Sequence, residues 1–123
     1  MKPTTWIAIG ALSAAVAVGL GAFGAHGLEE RVPVSDLEIW KTGVHYHFLH
    51  AIALVLLGLF LRPTAARAPV AGWSFLFGQA IFGGTLYAMV LGGPRWLGAI
   101  TPIGGTLMIV GWIAFARAAL RGS

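Results

Sequence analysis

The chain has 123 residues, of which 58% are hydrophobic and only 10% are charged, and its net charge is +4. A soluble domain carries about a quarter charged residues, and a chain this short has too much surface to hide the apolar excess in a core. The composition excludes an ordinary soluble globular protein, and the lack of cysteine excludes disulfides, thiolate metal sites and thiol nucleophiles.

Four apolar stretches follow one another along the chain. Each is long enough to cross the hydrocarbon core of a bilayer, which takes about 20 residues. They predict membrane spans near residues 5–25, 43–61, 70–91 and 97–116, within a single domain that covers residues 1–123. We interpret the first stretch as a retained span rather than a cleaved signal peptide, because it is long for such a peptide and three further spans follow it.

The segments between the spans differ in length. Residues 28–42 form the only long one, in which Ser35 and Glu38 have the pattern of a helix N-cap with its capping box. This pattern predicts a short interfacial helix in the first loop that runs into the second span. Residues 62–67 and 92–95 are short turns, which make neighbouring helices antiparallel. The sequence therefore predicts an all-α integral membrane four-helix bundle with up-down-up-down topology.

Basic residues are distributed unevenly between the two ends of this predicted bundle. The end with both termini holds Lys2, Arg62, Arg67, Arg117 and Arg121; the other end holds Arg31, Lys41 and Arg95 together with Glu29, Glu30, Asp36 and Glu38. Because short loops rich in Lys and Arg stay in the cytoplasm, this bias predicts cytoplasmic termini. The basic residues flank apolar stretches and form no continuous stripe, so the lipid bilayer is the predicted partner and nucleic acid is not.

Small residues recur at every fourth position on two of the spans. Lipid tails are as apolar as Leu, so membrane helices associate through close backbone approach, which small residues allow. We therefore predict two helix-packing stripes, acting within one chain or between two copies. The first stripe is Ser13, Ala17, Gly21 and Ala25, and the second is Ala80, Gly84, Ala88 and Gly92.

Gln79 lies near the middle of the third span. An unpaired amide is costly at that depth. Ser13 and Thr106 lie at similar depths on their own spans, so we expect a polar tie between helices at this level.

All four histidines lie in the half of the bundle away from the termini. His26 ends the first span, and His45, His47 and His50 open the second. At about 1.5 Å per residue, His50 lies about 10 Å inside its span, where an imidazole is expected to face protein.

We predict a polar cluster of His26, His50, Tyr87 and Thr101 at this level. It either locks the helices by hydrogen bonds or binds a ligand. No cofactor is predicted, although quinone, metal and haem remain open as ligands. For a metal the weak candidates are His26, His47 and His50, because neutral imidazole is the commonest metal ligand.

Four stretches together resemble one family of membrane proteins. They are residues 21–28 (GAFGAHGL), 42–51 (TGVHYHFLHA), 82–87 (FGGTLY) and 100–105 (ITPIGG), followed by Gly111 and Trp112. The chain is similar to the YgdD-like small inner-membrane proteins, the domain of unknown function family 423, which includes transmembrane protein 256 of animals. The resemblance covers about residues 10–115. It implies a four-span protein of the bacterial inner membrane and no agreed biochemical activity.

Three positions depart from the usual pattern of that family. Gly83 and Thr85 stand where two serines are usual, so one hydroxyl is lost. His47 follows Tyr46 where a polar residue such as Gln is usual. His26 and His50 match the pattern. The resemblance therefore implies a shared role for these two histidines and not for His47.

The sequence favours a non-catalytic protein, an accessory or stabilising subunit of a membrane assembly. The only acids lie in the first loop, so no nucleophile, base and acid come together and we predict no catalytic residues. Its partner would be a larger membrane complex or a second copy of the chain. The alternative is a quinone-, metal- or haem-binding site centred on His26 and His50. A small transporter would need a polar pathway, and Gln79 is the one strongly polar side chain near the midplane.

Overall fold

The computed structural model describes residues 1–122, which fold into four long helices joined by short segments. The helices are α1 (Pro3–Phe23), α2 (Val34–Leu61), α3 (Pro69–Val90) and α4 (Thr101–Arg121), with a π-helical turn at Gly24–Leu28 and a 3-10 turn at Arg95–Ala99. All four are long and apolar enough to cross a membrane, and residues 1–122 contain no strand. The structure confirms the predicted all-α, four-span fold.

Helix α2 is one continuous helix and absorbs the short helix that we predicted in the first loop. It begins at Val34 with Pro33 at the N-cap position, and no side chain caps it, so Ser35 is not the cap. Residues 34–42 are its first turns, because no proline interrupts the chain before the span. Gly43, at the junction, is packed so closely that an added Cβ would lie 3.0 Å from Cε1 of Tyr87.

Both termini lie at one end of the bundle, as the up-down-up-down topology requires. At that end Arg67 donates a hydrogen bond to the carbonyl of Met1, at 3.3 Å. We call this the terminal end and the opposite end the distal end. At the distal end Nη2 of Arg95 lies 3.0 and 3.1 Å from the two carboxylate oxygens of Asp36, and this ion pair fastens the 3-10 turn to α2.

Helices α2 and α3 form the central pair, while α1 packs mainly on α2 and α4 mainly on α3. Side chains of the outer helices also reach across the pair: the ring of Trp6 lies against Gly72 of α3, and Trp112 bonds to His50 of α2. In the 18-residue apolar stretch that defines each span, 44% of the residues are buried in α2 and in α3, against 17% in the α1 span and 22% in the α4 span. The outer helices therefore leave most of their surface for lipid or a partner.

Small residues make the closest helix contacts, but only some of them belong to the predicted stripes. In the first stripe Ala17 is fully buried, and a Cβ at Gly21 would lie 3.3 Å from Val44, whereas Ala25 is exposed. Helices α3 and α4 also approach closely, because a Cβ at Gly104 would lie 2.8 Å from the carbonyl oxygen of Gly78.

The second predicted stripe does not pack within the chain, which corrects that part of the prediction. Ala80, Gly84 and Gly92 are exposed, and Ala88 is only half-buried. A Cβ at Gly84 would meet nothing within 4 Å, and Gly92 ends α3 in a turn with a φ of +107°. The reason is that α3 carries small residues on two faces, and the face with Gly78 is the one that meets α4.

Candidate functional site

A row of hydrogen bonds joins three helices through the interior of the bundle. The hydroxyl of Tyr87 lies 2.9 Å from Nδ1 of His47, and Nε2 of His47 lies 2.9 Å from Oγ of Ser13. Ser13 in turn donates to Oε1 of Gln79 at 2.8 Å. We call these four residues the polar chain. It links α1, α2 and α3 with side chains that are far apart in sequence.

One neutral tautomer of His47 satisfies every bond of the polar chain. The single hydroxyl proton of Ser13 goes to Gln79, so its oxygen accepts from the Nε2–H of His47. Nδ1 of His47 then carries a lone pair, which accepts the hydroxyl proton of Tyr87. All three bonds therefore run in the same direction, from Tyr87 to Gln79.

Gln79 closes the polar chain and keeps one unpaired group. It is only 3% exposed, and its Nε2 is buried with no hydrogen-bond partner among residues 1–122. The bond to Ser13 confirms the predicted polar tie. Thr106 takes no part in it, since that residue is exposed and donates to the carbonyl of Pro102 in its own helix.

His50 makes a separate contact between α2 and α4. Its Nδ1 lies 2.7 Å from the carbonyl oxygen of Tyr46, and its Nε2 lies 3.0 Å from the indole nitrogen of Trp112. An indole N–H only donates, so Nε2 must accept and Nδ1 must carry the proton. His50 is therefore neutral with both nitrogens occupied, and at 5% exposure it faces protein, as its depth predicted.

Thr101 pairs with Thr85 rather than with a histidine. The two hydroxyl oxygens are 2.7 Å apart, and each hydroxyl also lies within hydrogen-bond distance of a carbonyl in the preceding turn. This contact fastens the beginning of α4 to α3.

His26 lies outside the predicted cluster. It is exposed in the π-helical turn, where it lines a polar depression of about 480 Å³ with Glu29, Glu30 and Arg31. Trp40 occupies the inner side of this segment. Its indole N–H donates to the carbonyl of Leu20 at 2.8 Å, and its ring packs against Gly24. That ring fills the space that an inward imidazole would need.

The structure therefore divides the predicted site residues among four places. Tyr87 bonds to His47, Thr101 to Thr85, and His50 to Trp112, while His26 lies at the surface. The three histidines proposed as weak metal candidates do not converge. Within residues 1–122, no three His, Asp or Glu side chains lie close enough to hold a metal ion together.

Sequence reasoning missed two partners in this arrangement. Trp112 was not expected to bond to His50, and His47 was considered only as a weak metal ligand. The spacing of His47 and His50 on one helix gave a signal that both could point inward. The spacing could not show how α1 and α4 are rotated about their axes. That rotation brings Ser13 to the ring of His47 and Trp112 to the ring of His50.

Comparison with known proteins points to a group without an assigned activity. A family model described as "Protein of unknown function (DUF423)" matches residues 20–105. A "UPF0382 membrane protein" of Staphylococcus epidermidis is 44% identical over 116 residues, which cover 94% of this chain and 95% of the relative. The "UPF0382 membrane protein YwdK" of Bacillus subtilis is 42% identical over 118 residues, covering 94% and 96%. No solved structure matches the chain significantly.

Proposed function

Because this chain belongs to the DUF423 family, and the relatives it matches are named as membrane proteins, we propose that it is a non-catalytic accessory or stabilising subunit of a larger assembly in the bacterial plasma membrane. Its membrane character follows from the four spans and from these relatives.

The observation that carries the proposal is how the buried polar side chains are used. Ser13, His47 and Tyr87 bond to one another and to Gln79, and His50 has both ring nitrogens occupied. Polar groups that act on a substrate must be free to meet it in a pocket. These groups instead tie helices together, which supports a scaffold rather than an enzyme or a transporter.

The exposed face of α3 is suited to contact with another transmembrane helix. Ala80 and Gly84 are exposed on α3, and small residues let a second backbone approach closely. Beside them the rings of Trp73 and Phe77 stack at 5.6 Å and are about half exposed. We infer that a helix of another subunit packs on this face, which we call the α3 face.

The alternative, one ligand site centred on His26 and His50, has weaker support. His26 lies in the surface depression of the first loop, and His50 is engaged with Trp112. A quinone, metal or haem held by both would require a rearrangement of α1 against α2.

The orientation proposed from the charge bias places both termini in the cytoplasm. The terminal end carries Lys2, Arg62, Arg67, Arg117 and Arg121, and the distal end carries all four acids. Cytoplasmic reporter activity is expected from a fusion at the C-terminus. Activity of a reporter that works only outside the cytoplasm would reverse the orientation.

The accessory role is tested by site-specific crosslinking in native membranes. A photo-crosslinking residue is placed at Gly84 on the α3 face, and the matched control is placed at Gly19 of α1, because a Cβ at either position meets nothing within 4 Å. We expect one discrete membrane protein to be captured from position 84 and not from position 19. Deletion of this chain should then lower the abundance of that protein.

Two results would contradict the proposal. One is the absence of any specific adduct from either position. The other is a stoichiometric quinone, metal or haem in the purified protein that is lost in His50→Ala, which would favour the alternative.

A further inference from the structure

A cleft with a volume of about 650 Å³ opens sideways between α2 and α4. Tyr46 and Leu49 line one wall, Ile109 and Trp112 line the other, and Phe82 with Gly105 forms the floor. At about 1.5 Å per residue, the α2 side from Thr42 to His50 is about 12 Å long. The cleft thus runs from near the distal interface into the membrane.

The walls of this cleft are held in place by contacts behind them. The ring of Trp112 is fixed by its bond to His50, and the rings of Tyr46 and Phe82 meet edge to face at 5.0 Å. A Cβ at Gly105 would meet only the ring of Phe82, at 3.9 Å. The lack of a side chain at residue 105 therefore leaves this part of the cleft open, and the cleft is preformed as ligand sites usually are.

The lining is apolar except near one end. Both nitrogens of His50 are occupied, and the hydroxyl of Thr42 donates to the carbonyl of Glu38. The hydroxyl of Tyr46 has no hydrogen bond with any of residues 1–122. The cleft thus offers a long hydrocarbon surface with one free donor, about one helical turn inside its distal end.

We propose that this cleft holds one acyl chain of a membrane phospholipid as a resident ligand. A cleft that opens to hydrocarbon must be filled, because water at that depth lacks polar partners. Its α2 side, about 12 Å long, is shorter than one leaflet, which is about half of a hydrocarbon core of about 30 Å, so the cleft takes the part of an acyl chain nearest the head group. The Tyr46 hydroxyl donates to the ester carbonyl at the head of the chain.

A prenyl quinone shares the hydrocarbon tail but fits the polar end less well. A quinone presents two carbonyls on opposite sides of a ring, whereas this end supplies a single free donor. The lipid site does not depend on the proposed accessory role, since the cleft lies between α2 and α4 and not on the α3 face.

The test measures phospholipid retained by the purified full-length protein in mild detergent, by native mass spectrometry. Gly105→Leu places a branched side chain in the cleft, and Gly19→Leu is the matched control, an exposed helix position where a Cβ meets nothing within 4 Å. We expect the unmodified protein and Gly19→Leu to retain one phospholipid per chain. Retention by Gly105→Leu should fall at least fivefold with unchanged helix content.

A second variant keeps the test sharp if Gly105→Leu misfolds. Tyr46→Phe keeps the ring and removes the donor, so dioleoyl phosphatidylglycerol added back to delipidated protein should bind about threefold more weakly, the effect of one hydrogen bond in a membrane protein. The proposal is overturned if Gly105→Leu folds and retains lipid like Gly19→Leu, or if Tyr46→Phe binds as well as the unmodified protein. A prenyl quinone found at one per chain in place of phospholipid also overturns it.

Discussion

Ser13 is the residue whose replacement best tests the polar chain, because its single oxygen bonds on both sides. In Ser13→Ala the Nε2–H of His47 loses its acceptor, and Oε1 of Gln79 loses its donor. Hydrogen bonds between membrane helices contribute about 0.6 kcal/mol on average and up to about 1.7 kcal/mol. The two lost bonds should therefore lower the free energy of unfolding by about 1–3 kcal/mol, slightly offset by the better helix propensity of Ala.

Gln79→Leu should cost less than Ser13→Ala, although it removes a member of the same chain. The change also removes the unpaired Nε2 of Gln79, whose burial is unfavourable. The hydroxyl of Ser13 can then turn to a carbonyl in the preceding turn of α1 while it still accepts from His47. We expect a change within about 0.5 kcal/mol of zero, and a double variant that loses less than the two single variants together.

Both quantities can be measured by reversible unfolding in mixed micelles of increasing dodecyl sulfate content, followed by circular dichroism. Thr106→Val is the control, because its hydroxyl bonds only within its own helix and is exposed. The reasoning is refuted if Ser13→Ala loses no more stability than Thr106→Val. It also fails if Gln79→Leu is the more damaging of the two changes.

Three further predictions use the same assay. Gly104→Ala should lower the free energy of unfolding by about 1–3 kcal/mol through overpacking, because its Cβ would meet the backbone of α3. Gly84→Ala should instead raise it by up to about 1 kcal/mol through better helix propensity. Changes of the same sign in the two variants would contradict the assigned faces. His50→Phe should lose about 1–2 kcal/mol through the unpaired indole N–H, and adding Trp112→Phe should recover part of that loss, whereas strict additivity would argue against the bond. Asp36→Asn should lose about 0.5–1 kcal/mol at low salt and less at high salt; a loss independent of salt would exclude an ion-pair effect.

The spans were predictable because the bilayer imposes length and apolarity directly on the sequence. The prediction near residues 70–91 and the helix Pro69–Val90 differ by one residue at each end, since Pro69 fixes where the helix begins. The first loop was harder. The N-cap pattern at Ser35 indicated a helix correctly, but nothing in it could indicate that the helix would continue unbroken into the span.

The site was less predictable, because it depends on how each helix is rotated. Helix α3 offers small residues on two faces, and only the packed structure shows that Gly78, rather than Gly84, meets a neighbour. His26 matches the pattern of the family, yet the ring of Trp40 fills the space beneath its segment. The Ser13–Gln79 pair could be predicted, since depth alone places the two side chains level with each other.

The arrangement of the helices has a consequence for how the chain assembles during its synthesis. The strongest partners, α1 with α2 and α3 with α4, are neighbours in sequence, so each hairpin can close as soon as it has been inserted. Such local pairing is the fastest kind to form. The polar chain spans both hairpins, because Ser13 and His47 belong to the first and Gln79 and Tyr87 to the second. Until the second hairpin docks, Ser13 and His47 lack these two partners in the bilayer. Because unpaired polar groups are costly in lipid, the hydrogen bonds that they gain favour docking of the second hairpin onto the first.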